Sequence, residues 1–231
     1  MKIISILGLA ILMSFSVNFA QARELSKADV EKIIKEYISA NGGELATAIE
    51  DYLAKEQVRL AEESIKEHSP IMGKGKVTFI EYSDYRCGYC RRVQDTLSML
   101  REEYEGRVKF AFKYLPILTE LSRETARAAQ AAHRQGKFWE FHKVMWENQD
   151  KLSDKFFIET AEKLKLNINK FNADRKSATI NNEIDQDVED ARELGVQGTP
   201  FFVIDGQTLS GAQPVELFRA VIDKALARQE D

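Results

Sequence analysis

The chain has 231 residues, a formal net charge of −4 and 44% hydrophobic residues. That size supports one sizeable core plus an appendage, and the mild acidity gives no cationic surface for a nucleic-acid partner. Only two cysteines are present, too few for a disulfide framework.

In chain order, Lys2, the apolar run Ile3 to Phe15 and Ala20-Gln21-Ala22 read as a secretory signal (1–22) cleaved after Ala22. The competing reading is an uncleaved anchor, but the run is short for a bilayer, and no later run is apolar enough for stable membrane insertion. Residues 23–72 read as an N-terminal helical region. Ser26 with Asp29 starts a first helix. Val30, Ile33, Ile34, Tyr37 and Ile38 repeat along it, and Asn41-Gly42-Gly43 ends it. A second helix carries Ile49, Tyr52, Leu53, Leu60 and Ile65 and stops at His68-Ser69-Pro70. Gly73-Lys74-Gly75 then reads as a hinge.

Val77 to Tyr82 suits a buried strand, and a helix is expected from Arg91 to Glu103. The alternation from Val108 to Tyr114 predicts a second strand, ended by Pro116. Residues 121–194 are almost wholly helical by pattern. Their aromatic cluster, Phe138, Trp139, Phe141 and Trp146, either packs a core or lines a pocket. Strand character returns at Phe201 to Ile204, Asp205-Gly206 is a hairpin turn signal, and Pro214 opens a last helix. The simplest organisation is a small α/β domain, 73–120 and 195–231, with a helical domain inserted at 121–194.

Cys87-Gly88-Tyr89-Cys90 lies between the first strand and its helix. Helix N-termini have unpaired N–H groups and a positive dipole end, which favour a thiolate. Residues at i and i+3 share a helix face, so the two sulfurs can meet. A two-residue spacer closes almost no loop, so the pair is suited to chemistry rather than stapling.

These features together resemble the thioredoxin superfamily, and within it the bacterial DsbA-like exported thiol–disulfide exchange proteins. The Cys-x-x-Cys motif, Glu81 six residues before Cys87, Gly198-Thr199-Pro200 before a strand and the helical insertion carry the resemblance. It implies an α/β thioredoxin fold with an inserted α-helical domain, in the periplasm. Cys87 is then the exposed nucleophile and Cys90 the buried resolving thiol, with Gly88 and Tyr89 tuning the potential. Glu81 is either a buried acid that takes the Cys90 proton or a solvated edge residue. Lys113 is either the partner of that acid, as in some relatives, or an outward strand residue. Thr199 precedes a proline, Pro200, that is cis by resemblance and presents backbone to substrate; the alternative is a trans proline ending a loop. Arg86, Arg91 and Arg92 either add positive potential or are solvated.

No zinc site is expected, since four ligands are not available near the motif. The two thiolates also suit a soft copper(I) ion. The expected cofactor is none beyond the redox-active Cys87–Cys90 disulfide. Cys-Gly-Tyr-Cys and Thr199 resemble DsbC-type isomerases, and the whole is similar to ScsC, the suppressor-of-copper-sensitivity type. That implies an isomerase or reductase acting on unfolded or misfolded exported proteins, with a membrane reductant of the DsbD or ScsB type. The N-terminal helices are expected to form a homo-oligomer, trimer or dimer. A DsbA-type oxidase and a copper(I)-binding thiol protein are the alternatives.

Overall fold

The computed structural model describes residues 25–229, so the expected signal segment lies outside the described residues. The chain divides into two units, Met1–Ala48 and Ile49–Asp231. The first holds the start of helix α1 (Lys27–Ser64). Ser26 caps it: its Oγ accepts from the Asp29 amide at 3.2 Å, and the Asp29 carboxylate accepts from the Ser26 amide at 3.0 Å.

The expected break at Asn41-Gly42-Gly43 does not occur, and one helix replaces the predicted pair. Neither glycine takes a positive φ, and the Asn41 side chain donates back to the Tyr37 carbonyl at 2.9 Å. An interior glycine costs about 1 kcal/mol against alanine. Good helix formers on both sides, with no proline, carry the helix through. Val30, Ile33, Ile34, Tyr37 and Ile38 are 41–58% exposed on the chain.

The second unit is built on β1 (Ile71–Met72), β2 (Val77–Ser83), β3 (Val108–Tyr114), β4 (Phe201–Ile204) and β5 (Gln207–Ser210). They form a mixed sheet in the order β1-β3-β2-β4-β5. β2 and β3 run parallel with Glu81 beside Phe112, and β4 runs antiparallel to β2. The short β1 was not expected. It pairs antiparallel with β3, and the predicted hinge after it is a packed turn. A Cβ on Gly73 or Gly75 would overlap the backbone of Val108 or Arg107, so these glycines serve close approach. Asp205 and Gly206 both have positive φ, 47° and 81°, as the tight turn between β4 and β5 requires.

α2 (Gly88–Glu103) follows β2. Between β3 and β4 come α3 (Glu120–His133), α4 (Phe138–Glu147), α5 (Asp154–Lys163), α6 (Ile168–Asp174) and α7 (Ala178–Glu193), and α8 (Val215–Arg228) closes the unit. One sheet face packs Phe79, Phe110 and Phe202 against Leu97 and Leu100 of α2 and Phe218 of α8. The other packs Ile80, Tyr82 and Val203 against Ala61 at the end of α1 and Ala191 of α7. The inserted helices have their own core, joined to Tyr85, Phe112 and both cysteines. Phe138, Phe141 and Trp146 are buried in it, so the aromatic cluster is mainly core.

Candidate active site

Cys87 is the N-cap of α2, and its Sγ accepts from the Cys90 amide at 3.4 Å. The cap is thus a sulfur placed on the open N–H end of the helix, where negative charge is favoured. The Thr199–Pro200 peptide is cis, and the Cys87 thiol donates to the Thr199 carbonyl at 3.3 Å. That loop covers the sulfur. Cys87 is therefore only 6% exposed rather than fully open, while Cys90 is 0% exposed. Both are free thiols. Tyr89 is exposed, and the Arg92 guanidinium lies 4.1 Å above its ring.

The two thiols titrate far apart. A hydrogen bond from Cys90 lowers the Cys87 thiol to about 5, helped by the Thr199 side chain and by the Cys90 and Tyr89 amides, against the effect of burial. Burial raises the Cys90 thiol, and its bond to Cys87 raises it further. At neutral pH Cys87 is the thiolate and Cys90 keeps its proton, which is the division of labour that exchange needs. Alkylation of Cys87 by iodoacetamide should therefore rise through a midpoint near pH 5. Cys90→Ala, which removes the leading hydrogen bond, should move that midpoint upward. A Cys87 that titrates like a free thiol would overturn this assignment.

Glu81 is 2% exposed and faces α2. Burial raises its pKa; Arg101, Gln94 and Ser83 oppose that rise. Lys113 does not partner it. With Glu81 beside Phe112, strand alternation puts Lys113 on the opposite face of the sheet. There Lys113 is neither outward nor tied to the acid: it is fully buried, with its Nζ 2.5 Å from Asp187 and 2.9 Å from Asp190. It also donates to the Ser64 carbonyl at 2.5 Å. The cation beside Glu81 is Arg101 of α2, at 3.5 Å.

The sequence reading missed several residues. Gln94 donates to the Glu81 carboxylate at 2.9 Å and to the Cys90 carbonyl at 3.2 Å. Gln149 of the insertion donates to the carbonyls of Tyr85 and Cys87 at 2.8 and 3.0 Å. Asp84 accepts from the Arg86 and Leu118 amides at 2.8 and 3.0 Å, fixing the turn before Cys87. His142 is held between the Tyr85 hydroxyl at 2.9 Å and the Trp146 indole N–H at 3.0 Å. Residues 90, 94 and 101 share a helix stripe, the one signal that marked Gln94 and Arg101. Arg86 donates to the Gln149 carbonyl and Arg91 approaches Asp150, so these arginines are engaged outside the sulfur pair.

A sulfur at the helix N-cap beside a cis-proline loop, on a sheet of this order, defines a thioredoxin-type fold. Residues 78–223 match the DSBA-like thioredoxin domain, and the chain belongs to that family. It is 31% identical over 165 residues to the probable disulfide bond formation protein D of Bacillus cereus, covering 66% of this chain and 75% of that protein. It is also 34% identical over 157 residues to the Na(+)/H(+) antiporter NhaA 3 of Salinispora tropica, covering 65% of this chain but only 23% of the antiporter's length. In fold it matches a linker-deletion variant of ScsC from Proteus mirabilis, with a TM-score of 0.66 and 21% identity, covering 90% of this chain and 99% of the other. Among the described residues no helix is long and apolar enough to cross a membrane.

Proposed function

We propose that this chain is an exported, periplasmic protein disulfide isomerase and reductase that acts on misfolded proteins and needs no cofactor beyond its own dithiol. The observation behind this reading is Thr199 beside Cys87. The Cys87 thiol lies 3.3 Å from the Thr199 carbonyl, and the polar threonine side chain beside it helps to hold the Cys87 pKa down, an influence that a valine lacks. A low-pKa thiol is a good leaving group, so adducts on Cys87 form and break readily. Reversibility of that kind suits shuffling of wrong disulfides.

The Cys87 thiolate attacks a substrate disulfide. One substrate sulfur leaves as a thiolate and the other is bonded to Cys87. The freed thiolate can attack a second substrate disulfide, and the substrate thiolate released there then attacks the Cys87–substrate bond, forming a new substrate disulfide and freeing Cys87 with no net redox change. Alternatively Cys90, deprotonated by Glu81, attacks the Cys87 sulfur and releases a reduced substrate. A membrane reductant of the DsbD or ScsB type returns the oxidised pair to the dithiol.

The exposed apolar residues of α1 support self-association as a trimer or dimer, since such a stripe favours burial against a like surface. The reduced full-length protein should reactivate scrambled ribonuclease in a glutathione buffer. Ile34→Glu with Ile38→Glu should lower the mass per particle and the reactivation, while oxidation of a reduced peptide is retained. Unchanged mass would remove the oligomer; no reactivation by the unaltered protein would remove the isomerase. The second outcome would leave the oxidase reading, which the Bacillus cereus relative favours by its name.

A further inference from the structure

Behind α2 lies a cavity of about 670 Å³ whose walls include Gln94, Ser98, Arg101, Trp139, His142 and Trp146. Two of these residues hold Glu81. Gln94 bridges one carboxylate oxygen to the Cys90 carbonyl, and Arg101 approaches the other oxygen at 3.5 Å. Arg101 is itself oriented by the Trp139 ring, 4.8 Å from its guanidinium, and the Trp139 indole donates to the Ile71 carbonyl at 3.4 Å. β1 and α4 are thus linked to the acid through Trp139 and Arg101.

We infer that Gln94 and Arg101 are positioning residues for the Glu81 carboxyl, holding it ionised and oriented to take the proton from Cys90. This rests on the proposed role of Glu81 as the base for Cys90. In the resolving step the Cys90 thiol gives its proton to the Glu81 carboxylate. The Cys90 thiolate attacks Cys87, the Cys87–Cys90 bond forms as the Cys87–substrate bond breaks, and the substrate leaves as a thiolate. Glu81 then returns its proton to water.

The groups facing Glu81 are Arg101 and Gln94 from α2, Ser83 of β2 and Tyr85 of the loop after it, and Gln94 links the carboxylate to the Cys90 carbonyl. Phe112 and Phe202 flank it from β3 and β4. From α4, His142 bonds to Tyr85 and is held neutral by burial, with Arg101 adding to the effect. Arg101 is thus the cation that favours the ionised carboxylate. Losing it raises the pH at which Glu81 becomes a base.

The test is reaction of the full-length reduced protein with excess glutathione disulfide, followed in stopped flow against pH. The first phase is attack by Cys87 and the second is release by Cys90. Arg101→Met should move the rising limb of the second phase up by about one pH unit and leave the first phase in place. Arg101→Lys, which keeps the charge, should restore it. Gln94→Leu, at a half-buried position, should slow the second phase about tenfold and carries the test alone if Arg101→Met does not fold. Second phases in these variants that overlay the native profile, with Glu81→Gln slowed, would overturn the positioning role and leave Glu81 as base. An unslowed Glu81→Gln would overturn both.

Discussion

Cys87→Ser is expected to lower disulfide exchange by on the order of 10³-fold or more, the largest activity loss available in this chain. A serine hydroxyl stays protonated at the helix N-terminus, so the cap remains but the nucleophile is gone. Cys90→Ala is expected to behave differently. Cys87 still attacks, but nothing resolves the adduct, so mixed disulfides with client proteins accumulate. Non-reducing electrophoresis of the variant after exposure to unfolded proteins reads this directly, with bands that collapse on adding dithiothreitol. A Cys90→Ala protein that traps nothing would remove the assignment of attacking and resolving roles.

Lys113→Met is expected to give the largest loss of stability with little loss of chemistry. Lys113 is buried between Asp187 and Asp190 and also donates to Ser64. Asp187 accepts from the Tyr114 amide at 2.9 Å and lies 3.3 Å from His68. Taking away the central cation leaves two buried carboxylates facing each other. Breaking a buried ion pair costs about 3–5 kcal/mol, which for a chain of this size lowers Tm by roughly 10 °C. Adding Asp187→Asn and Asp190→Asn should recover part of that loss. Because Lys113 is on the sheet face away from Glu81, both phases of the glutathione reaction should stay within about twofold of native. Thermal unfolding followed by circular dichroism measures the first effect. An unchanged Tm would mean that the cluster contributes no net stability, whereas a slowed second phase would tie Lys113 to the acid after all.

What could be read from the residues alone was local. Cys87 at a strand-to-helix junction and Thr199-Pro200 before a strand each depend on a few neighbours in sequence. Asp205-Gly206 is legible for the same reason, since only two backbone angles decide it. The partner of Glu81 was not legible, because it depends on the register of β2 with β3. One step along β3, from Phe112 to Lys113, changes the face of the sheet. Gln149 was hidden more deeply, since the insertion returns it to the active-site turn from more than sixty residues away. At Gly42-Gly43 a strong local stop signal lost to the helical preference of its surroundings. Gly73 and Gly75 show the converse: their lack of side chains serves packing against β3 and not freedom.

The separation of the two thiols also sets how the redox couple responds to acidity. Closing the Cys87–Cys90 bond removes two electrons. Between pH 5, where Cys87 ionises, and the alkaline range where Cys90 follows, it releases a single proton. The midpoint potential of the couple then changes by about 30 mV per pH unit across that window, half the slope of a dithiol that loses two protons. Below pH 5 the thiolate's contribution to the reduced form is lost and the steeper slope returns. Acidification would therefore shift this couple less than an ordinary dithiol, keeping its redox poise buffered against the surrounding medium.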